Sequence, residues 1–140
     1  MVLSYFLLQE KSTILVRMHG HLDMKNIYKA VKKIWMAPGY SPNLSSIMDL
    51  RKAEINFTPA EIGEFSEFLI ANDKSLIGEF VILITKPFET ALSMIFESKM
   101  ISQHKTSIFS TERAAIGHLR LTRAEFNQLN SEKATVITID

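Results

Sequence analysis

The residues Phe80-Val81-Ile82-Leu83-Ile84 form a continuous apolar run of the length of one β-strand. Such a run is typical of a central parallel strand that is covered on both faces. Lys86-Pro87 ends the run, and the spacing of apolar residues then predicts a helix from about Phe88 to Met100 that turns Ala91, Leu92, Ile95 and Phe96 inward. A buried strand followed directly by a helix indicates a unit of an α/β fold.

The preceding segment repeats this order of strand and helix. Leu44 to Leu50 is predicted to be a buried strand. The sequence Thr58-Pro59-Ala60-Glu61 then places Thr at the N-cap, Pro at the first helical position and Glu at the third, which is a capping box. The helix that begins there is predicted to reach about Ala71.

The segments before and after this central part also predict strands followed by helices. Residues 4–9 and 13–19 predict an opening hairpin, and Asp23 predicts the N-cap of a helix that reaches about Ala37. Thr106 to Phe109 is predicted to be a strand, followed by a helix capped by Ser110 or Thr111.

A second capping box, Thr122-Arg123-Ala124-Glu125, predicts a short helix to about Leu129, and residues 134–139 have strand character. Three outcomes are open for this last segment: an edge strand, pairing with another subunit, or a mobile tail. We expect one α/β domain over residues 1–121, with residues 122–140 as its C-terminal extension. The element order β-β-α-β-α-β-α-β-α predicts a single mixed, mostly parallel sheet with an N-terminal hairpin.

Composition excludes several classes of protein. Sixteen basic and fifteen acidic residues give a net charge of +1, and no Lys/Arg-rich run favours a nucleic-acid role. The absence of cysteine excludes disulfides, thiolate metal sites and cysteine nucleophiles. The apolar start Met1–Leu8 lacks a basic leader, and no apolar run approaches the roughly 20 residues of a spanning helix, so we expect a cytoplasmic protein without a membrane span.

Several short motifs resemble a known family. These are the turn Gly20-x-Leu22-Asp23, Asp49-Leu50-Arg51 after the third strand, Phe96-Glu97, and the stretch that begins at Ile108. Together with the element order, they resemble the STAS domain over residues 5–121, and most closely its SpoIIAA-like branch of anti-sigma-factor antagonists. The resemblance implies a small α/β domain that acts mainly by binding.

In antagonist members of that family, a serine at the start of the second helix is phosphorylated, and the comparable residue here is Thr58. Phosphate is physically favoured at a helix N-terminus. The family pattern of Asp-Ser followed closely by Gly is, however, replaced here by Phe57-Thr58-Pro59-Ala60. Thr58 is therefore either a simple N-cap, which we favour, or a phosphoswitch. The similar-looking CRAL-TRIO group suggests a small hydrophobic ligand.

Polar residues follow several of the predicted strands, where ligands bind in open parallel sheets. Asp49 and Arg51 are predicted either to form an ion pair that orients a loop, or to leave Arg51 free for an anionic ligand. For Asp49 we favour a structural role as an acceptor from backbone N–H groups. The other residues predicted at this rim are His19, His21, Thr85, Lys86, Ser110 and Glu112.

No motif predicts catalysis, a metal or a cofactor. His19 and His21 have no recognised zinc spacing and are predicted to be turn histidines, while His104 and His118 are predicted to lie on the surface or pack against a helix. Neither a Gly-x-Ser-x-Gly elbow nor a glycine-rich phosphate loop is present.

Aromatic and methionine residues of the second and third helices either line an apolar groove or form core, and helical spacing favours core. They are Phe65, Phe68, Phe88, Met94, Phe96 and Met100. We therefore predict a non-enzymatic binding or regulatory module that contacts a protein partner or a second copy of itself. The alternative is carriage of a small hydrophobic ligand, such as a lipid, between the second and third helices.

Overall fold

The computed structural model describes residues 1–140, and its seven strands form one sheet. The strands are β1 (Val2–Leu8), β2 (Thr13–Leu22), β3 (Ser45–Asp49), β4 (Ala53–Ile55), β5 (Glu79–Leu83), β6 (Lys105–Phe109) and β7 (Thr135–Thr138). The helices are α1 (Met24–Trp35), α2 (Pro59–Ala71), α3 (Pro87–Lys99), α4 (Glu112–His118) and α5 (Arg123–Phe126), with 3₁₀ turns at Gln9–Lys11 and Asn127–Asn130.

The strand order is β6-β5-β3-β2-β1-β7, and β4 pairs with β2 beyond the end of β3. Parallel pairs join β2 to β3 and β4, β3 to β5, and β5 to β6. Only β1 runs antiparallel to its neighbours, β2 and β7. The predicted mixed, mostly parallel α/β sheet with an opening hairpin is confirmed.

The helix starts follow the predicted caps. The Asp23 carboxylate accepts from the backbone N–H of Asn26, whose side chain accepts in return from the Asp23 N–H. Thr58 and Glu61 make the same reciprocal pair at α2. Each box satisfies N–H groups that the first helical turn leaves free.

Two local predictions were incomplete or wrong. The strand β4 was not predicted, because three residues carry too little pattern to be recognised. Ala91 was expected to face inward but is exposed, since α3 instead turns Leu92, Ser93 and Phe96 toward the sheet. The hydroxyl of Ser93 donates to the carbonyl oxygen of Glu89, which lets a serine occupy this buried position.

The sheet separates two apolar layers. Helices α1, α2 and α3 cover the larger layer, which includes Val16, Met48 and Ile82 from adjacent strands. Helices α4 and α5 cover the smaller layer on the opposite face, which includes Leu15 and Ile47. This alternation follows from the two-residue period of a β-strand.

Three alternatives were predicted for residues 134–139, and the structure shows the first of them, an edge strand. β7 pairs with β1 from Val2 opposite Thr138 to Tyr5 opposite Thr135. The Ile139 N–H also donates to the carbonyl oxygen of Met1 at 2.8 Å. None of the helices combines the length and apolar character that crossing a membrane requires.

Candidate functional site

Asp49 lies at the carboxyl end of β3 and forms the centre of a charged cluster on the α4/α5 face of the sheet. Its Oδ1 accepts from the backbone N–H of Arg51 at 3.2 Å and from Arg51 Nε at 2.9 Å. Its Oδ2 accepts from Arg51 Nη2 and Arg17 Nε, both at 2.9 Å. The carboxylate therefore has four donors while its residue is only 1% exposed.

The cluster extends from Asp49 to the C-terminal helices. Arg51 Nη2 also lies 2.9 Å from Glu112 Oε1 at the start of α4. Arg17 Nη1 donates to Asn130 Oδ1 at 2.6 Å, and Arg123 Nη1 lies 3.9 Å from Glu112 Oε2. These contacts connect two central strands to the elements that cover the smaller layer.

The contacts within this cluster favour the charged forms of Asp49 and Arg51. Burial alone would raise the pKa of Asp49, but hydrogen bonds from Arg51 and Arg17 outweigh it and hold that pKa below its ordinary value. The hydrogen bond to Asp49 in turn raises the pKa of Arg51.

Asp49 and Arg51 form an ion pair, as one of the two alternatives for these residues predicted, and its role in orienting a loop stays a prediction. Because Asp49 and Glu112 already engage the Arg51 guanidinium, an anion would have to compete with two carboxylates, and binding of an anion there stays a prediction. Sequence reasoning missed Arg17, Arg123 and Asn130. Arg17 faces Asp49 through the parallel register of β2 and β3, which no local pattern reveals.

The other rim residues do not join this cluster, apart from Glu112. His19 and His21 were predicted to lie in a turn, but β2 continues to Leu22 because it pairs with β4, and both histidines are exposed within the strand. Lys86 Nζ donates to the Ala53 carbonyl oxygen at 3.0 Å. No group of three or more potential ligands is placed to hold a metal ion.

Thr58 is exposed at the start of α2, and it makes no hydrogen bond to the charged cluster. Its Oγ1 accepts from the Glu61 N–H at 3.1 Å, and its own N–H donates to Glu61 Oε1 at 2.9 Å. The hydroxyl therefore acts as an N-cap. Its accessibility is compatible with modification, and the phosphoswitch stays a prediction.

An apolar cavity of about 120 Å³ lies on the opposite face of the sheet, among β3, β5 and helices α1, α2 and α3. Twenty of the 23 residues that line it are hydrophobic. The lining includes Phe65, Phe96 and Met100, three of the six residues that sequence analysis assigned to a groove or to core. Phe88 and Met94 instead lie exposed on the outside of α3, and Phe68 stacks against Trp35.

His104 also lines this cavity and is buried, with 8% of its surface exposed. Its ring stacks on Phe80, and its Nδ1 lies 3.0 Å from Thr106 Oγ1. Burial lowers the pKa of His104 to about 4. No sequence signal identified this residue, because its neighbours in space come from other elements. His118, by contrast, is a partly exposed residue with Nε2 3.3 Å from Glu79 Oε2.

No family model matches the sequence, and no curated protein matches it. Among solved structures, one similar chain is described as an uncharacterized protein from the DUF3478 family with a SpoIIAA-like fold, from Shewanella loihica PV-4. It is 11% identical, with 76% of this chain and 83% of that chain covered and a TM-score of 0.49.

Proposed function

We propose that this chain is a non-catalytic binding module whose ligand is a small apolar molecule held between the sheet and helices α1 to α3. The observation that carries the proposal is the apolar cavity of about 120 Å³. An apolar cavity of about 150 Å³ lined by Leu, Ile and Phe stays free of water and binds benzene. The cavity therefore suits a molecule of about one ring, which is smaller than the lipid named from the sequence.

The energetic cost of the cavity supports this proposal. Empty apolar space lowers the stability of a fold, because protein interiors are otherwise close-packed. Its lining atoms lack packing partners on one side, and a ligand would restore those dispersion contacts. Binding would then raise the melting temperature, and the rise would increase with ligand concentration.

A matched pair of variants on α2 tests the proposal. Ile62 lines the cavity, whereas Ile70 on the same helix is 43% exposed and does not. We expect benzene to raise the melting temperature of the wild type and of Ile70→Phe. Ile62→Phe adds the same atoms inside the cavity and should abolish that rise. A wild type that gives no benzene response, by melting or by ligand-observed NMR, contradicts the proposal.

The charged cluster supports binding over catalysis as the mode of action. Arg51 donates to both Asp49 and Glu112 at 2.9 Å, so these charges are already compensated within the protein. Groups that perform acid–base or nucleophilic chemistry need access to the reacting atoms.

A second candidate function is contact with a protein partner or a second copy of this chain, and the outer surface near α3 favours it. Phe88 and Met94 are 60% and 58% exposed, and Ile101 just beyond the helix is 83% exposed. Contiguous exposed apolar patches are typical of interaction surfaces, and these three side chains lie on or just after one helix. Sedimentation at rising concentration should show self-association that the double variant Phe88→Ser/Met94→Ser loses. The control Val136→Ser, at an exposed position on β7, should keep it. A wild type that stays monomeric excludes the second copy, and pull-down with the same variants then tests a different protein.

A further inference from the structure

We propose that His104 is the polar anchor of the cavity, and that the ligand is a single-ring molecule carrying one uncharged hydroxyl group. This inference rests on the proposed function, because it requires that the cavity holds a ligand. It adds the chemical class of that ligand and the residue that selects it.

Ring stacking and one hydrogen bond hold the side chain of His104 in place. The imidazole lies parallel to Phe80, with ring centroids 4.6 Å apart, and 6.1 Å from the ring of Phe96. The hydroxyl of Thr106 holds Nδ1 at 3.0 Å. The hydrogen bond of the imidazole to a side chain runs through Nδ1 to Thr106, and Nε2 takes no part in it.

The other buried polar side chains of the lining are already engaged. Ser75 Oγ donates to the Leu69 carbonyl oxygen at 2.6 Å, and Ser93 Oγ donates to the Glu89 carbonyl oxygen at 2.9 Å. Unlike these two hydroxyls, His104 Nε2 makes no hydrogen bond to another side chain or to the backbone. His104 is a buried residue of this lining, and polar groups of a protein interior are normally hydrogen-bonded, so its ring nitrogen without a protein partner is where a polar group of a ligand would bind.

The protonation state of His104 selects the kind of polar group. Its low pKa keeps the ring neutral at pH 7, so Nε2 is either a donor or an acceptor, depending on the tautomer. A hydroxyl fits both tautomers because it donates and accepts. A carboxylate does not fit, since a neutral imidazole cannot compensate a charge removed from water. The aromatic lining, which includes Phe65, Phe80 and Phe96, favours a ring as the apolar part.

Phenol and toluene test this inference, because they differ only by a hydroxyl in place of a methyl group. A fully apolar cavity rejects phenol, since its hydroxyl would be buried without a partner. We expect the wild type to bind both compounds in calorimetric titrations. His104→Phe keeps an aromatic ring against Phe80 and should bind toluene within about threefold of the wild type, while its phenol affinity falls about tenfold or more. His118→Phe, the same change at a histidine outside the cavity, should retain phenol binding.

A second measurement uses only the wild type, so its result does not depend on whether His104→Phe folds. In long-range ¹H–¹⁵N spectra of the imidazoles, phenol should shift the Nε2 resonance of His104, and toluene should shift it much less. Toluene binding without phenol binding, or a phenol affinity unchanged by His104→Phe, overturns the role of His104 and leaves the cavity proposal intact. Failure of the wild type to bind either compound overturns both.

Discussion

The imidazole of His104 lies on the phenyl ring of Phe80 with an interplanar angle of 5°. Both rings line the same cavity, one from the segment before β6 and the other from β5. This contact places a titratable ring in an apolar layer, where the charged form loses its hydration. Protonation of His104 and folding of the chain therefore oppose each other.

The first prediction concerns stability in acid. The pKa of His104 falls from 6.5 to about 4 on folding, so between these values the unfolded chain binds a proton that the folded chain does not. Stability should therefore fall as the pH falls from 6.5 to 4, by roughly 3 kcal/mol in total. Urea unfolding of the wild type and of His104→Phe at pH 7, 5.5 and 4.5 measures this loss.

The variant His104→Phe retains the other three histidines, which are His19, His21 and His118. Their contributions to the pH dependence of stability therefore cancel when the two proteins are compared. The wild type should lose more stability than His104→Phe over this window. Equal losses would show that His104 does not resist protonation in the folded state.

The second prediction concerns the charged cluster. Asp49→Asn removes the charge that compensates Arg17 and Arg51, and breaking such a buried pair costs about 3 kcal/mol or more. Glu112→Gln should cost less than about 1 kcal/mol, because the side chain of Glu112 is 28% exposed and water can replace it. Denaturant titrations compare the two variants, and a larger loss for Glu112→Gln would contradict this ranking.

The contribution of the Asp49 carboxylate to stability also depends on pH, over a different range from that of His104. Because the pKa of Asp49 is lower in the folded than in the unfolded chain, its contribution is present above the unfolded value of 3.8. That contribution is lost as the pH falls further, and Asp49→Asn should remove it. This loss of stability occurs at a lower pH than the loss that protonation of His104 causes.

The third prediction separates the two roles of Thr58. Loss of the N-cap in Thr58→Ala should reduce the free energy of unfolding by about 1 kcal/mol, whereas Thr58→Ser should retain most of it. If Thr58 is also a phosphoswitch, incubation with candidate kinases should label the wild type and not Thr58→Ala. Undiminished labelling of Thr58→Ala would exclude this residue as the phosphorylation site.

The fourth prediction compares two glycines. A Cβ atom at Gly78 would lie 2.6 Å from the Leu44 carbonyl oxygen, which is backbone and cannot rotate away. Gly78→Ala should therefore destabilise the protein by roughly 1–3 kcal/mol. Gly63 lies within α2 with no atom near its missing Cβ, so Gly63→Ala should stabilise by about 0.5–1 kcal/mol. Thermal unfolding measures both changes, and a neutral Gly78→Ala would contradict the close approach.

Much of the architecture could be predicted because its signals are local. The caps at Asp23, Thr58 and Thr122 pair groups three residues apart, so they are visible in the sequence and lie where predicted. The apolar run at residues 80–84 likewise identifies a strand covered on both faces. Alternation of such strands with capped helices was sufficient to predict the sheet.

The candidate sites depend on contacts between distant parts of the chain. Arg17 meets Asp49 through the register of two parallel strands, and β7 pairs with β1 at the other end of the chain. The cavity is a gap that remains where three helices meet the sheet, and His104 enters it because of how β5 and β6 are placed. A hydrogen bond within one helical turn depends on neighbouring residues, whereas a packing gap depends on the shapes of all the side chains that meet there. For this reason the order of strands and helices could be predicted from the residues, whereas the cavity and the place of His104 in its lining depend on the folded chain.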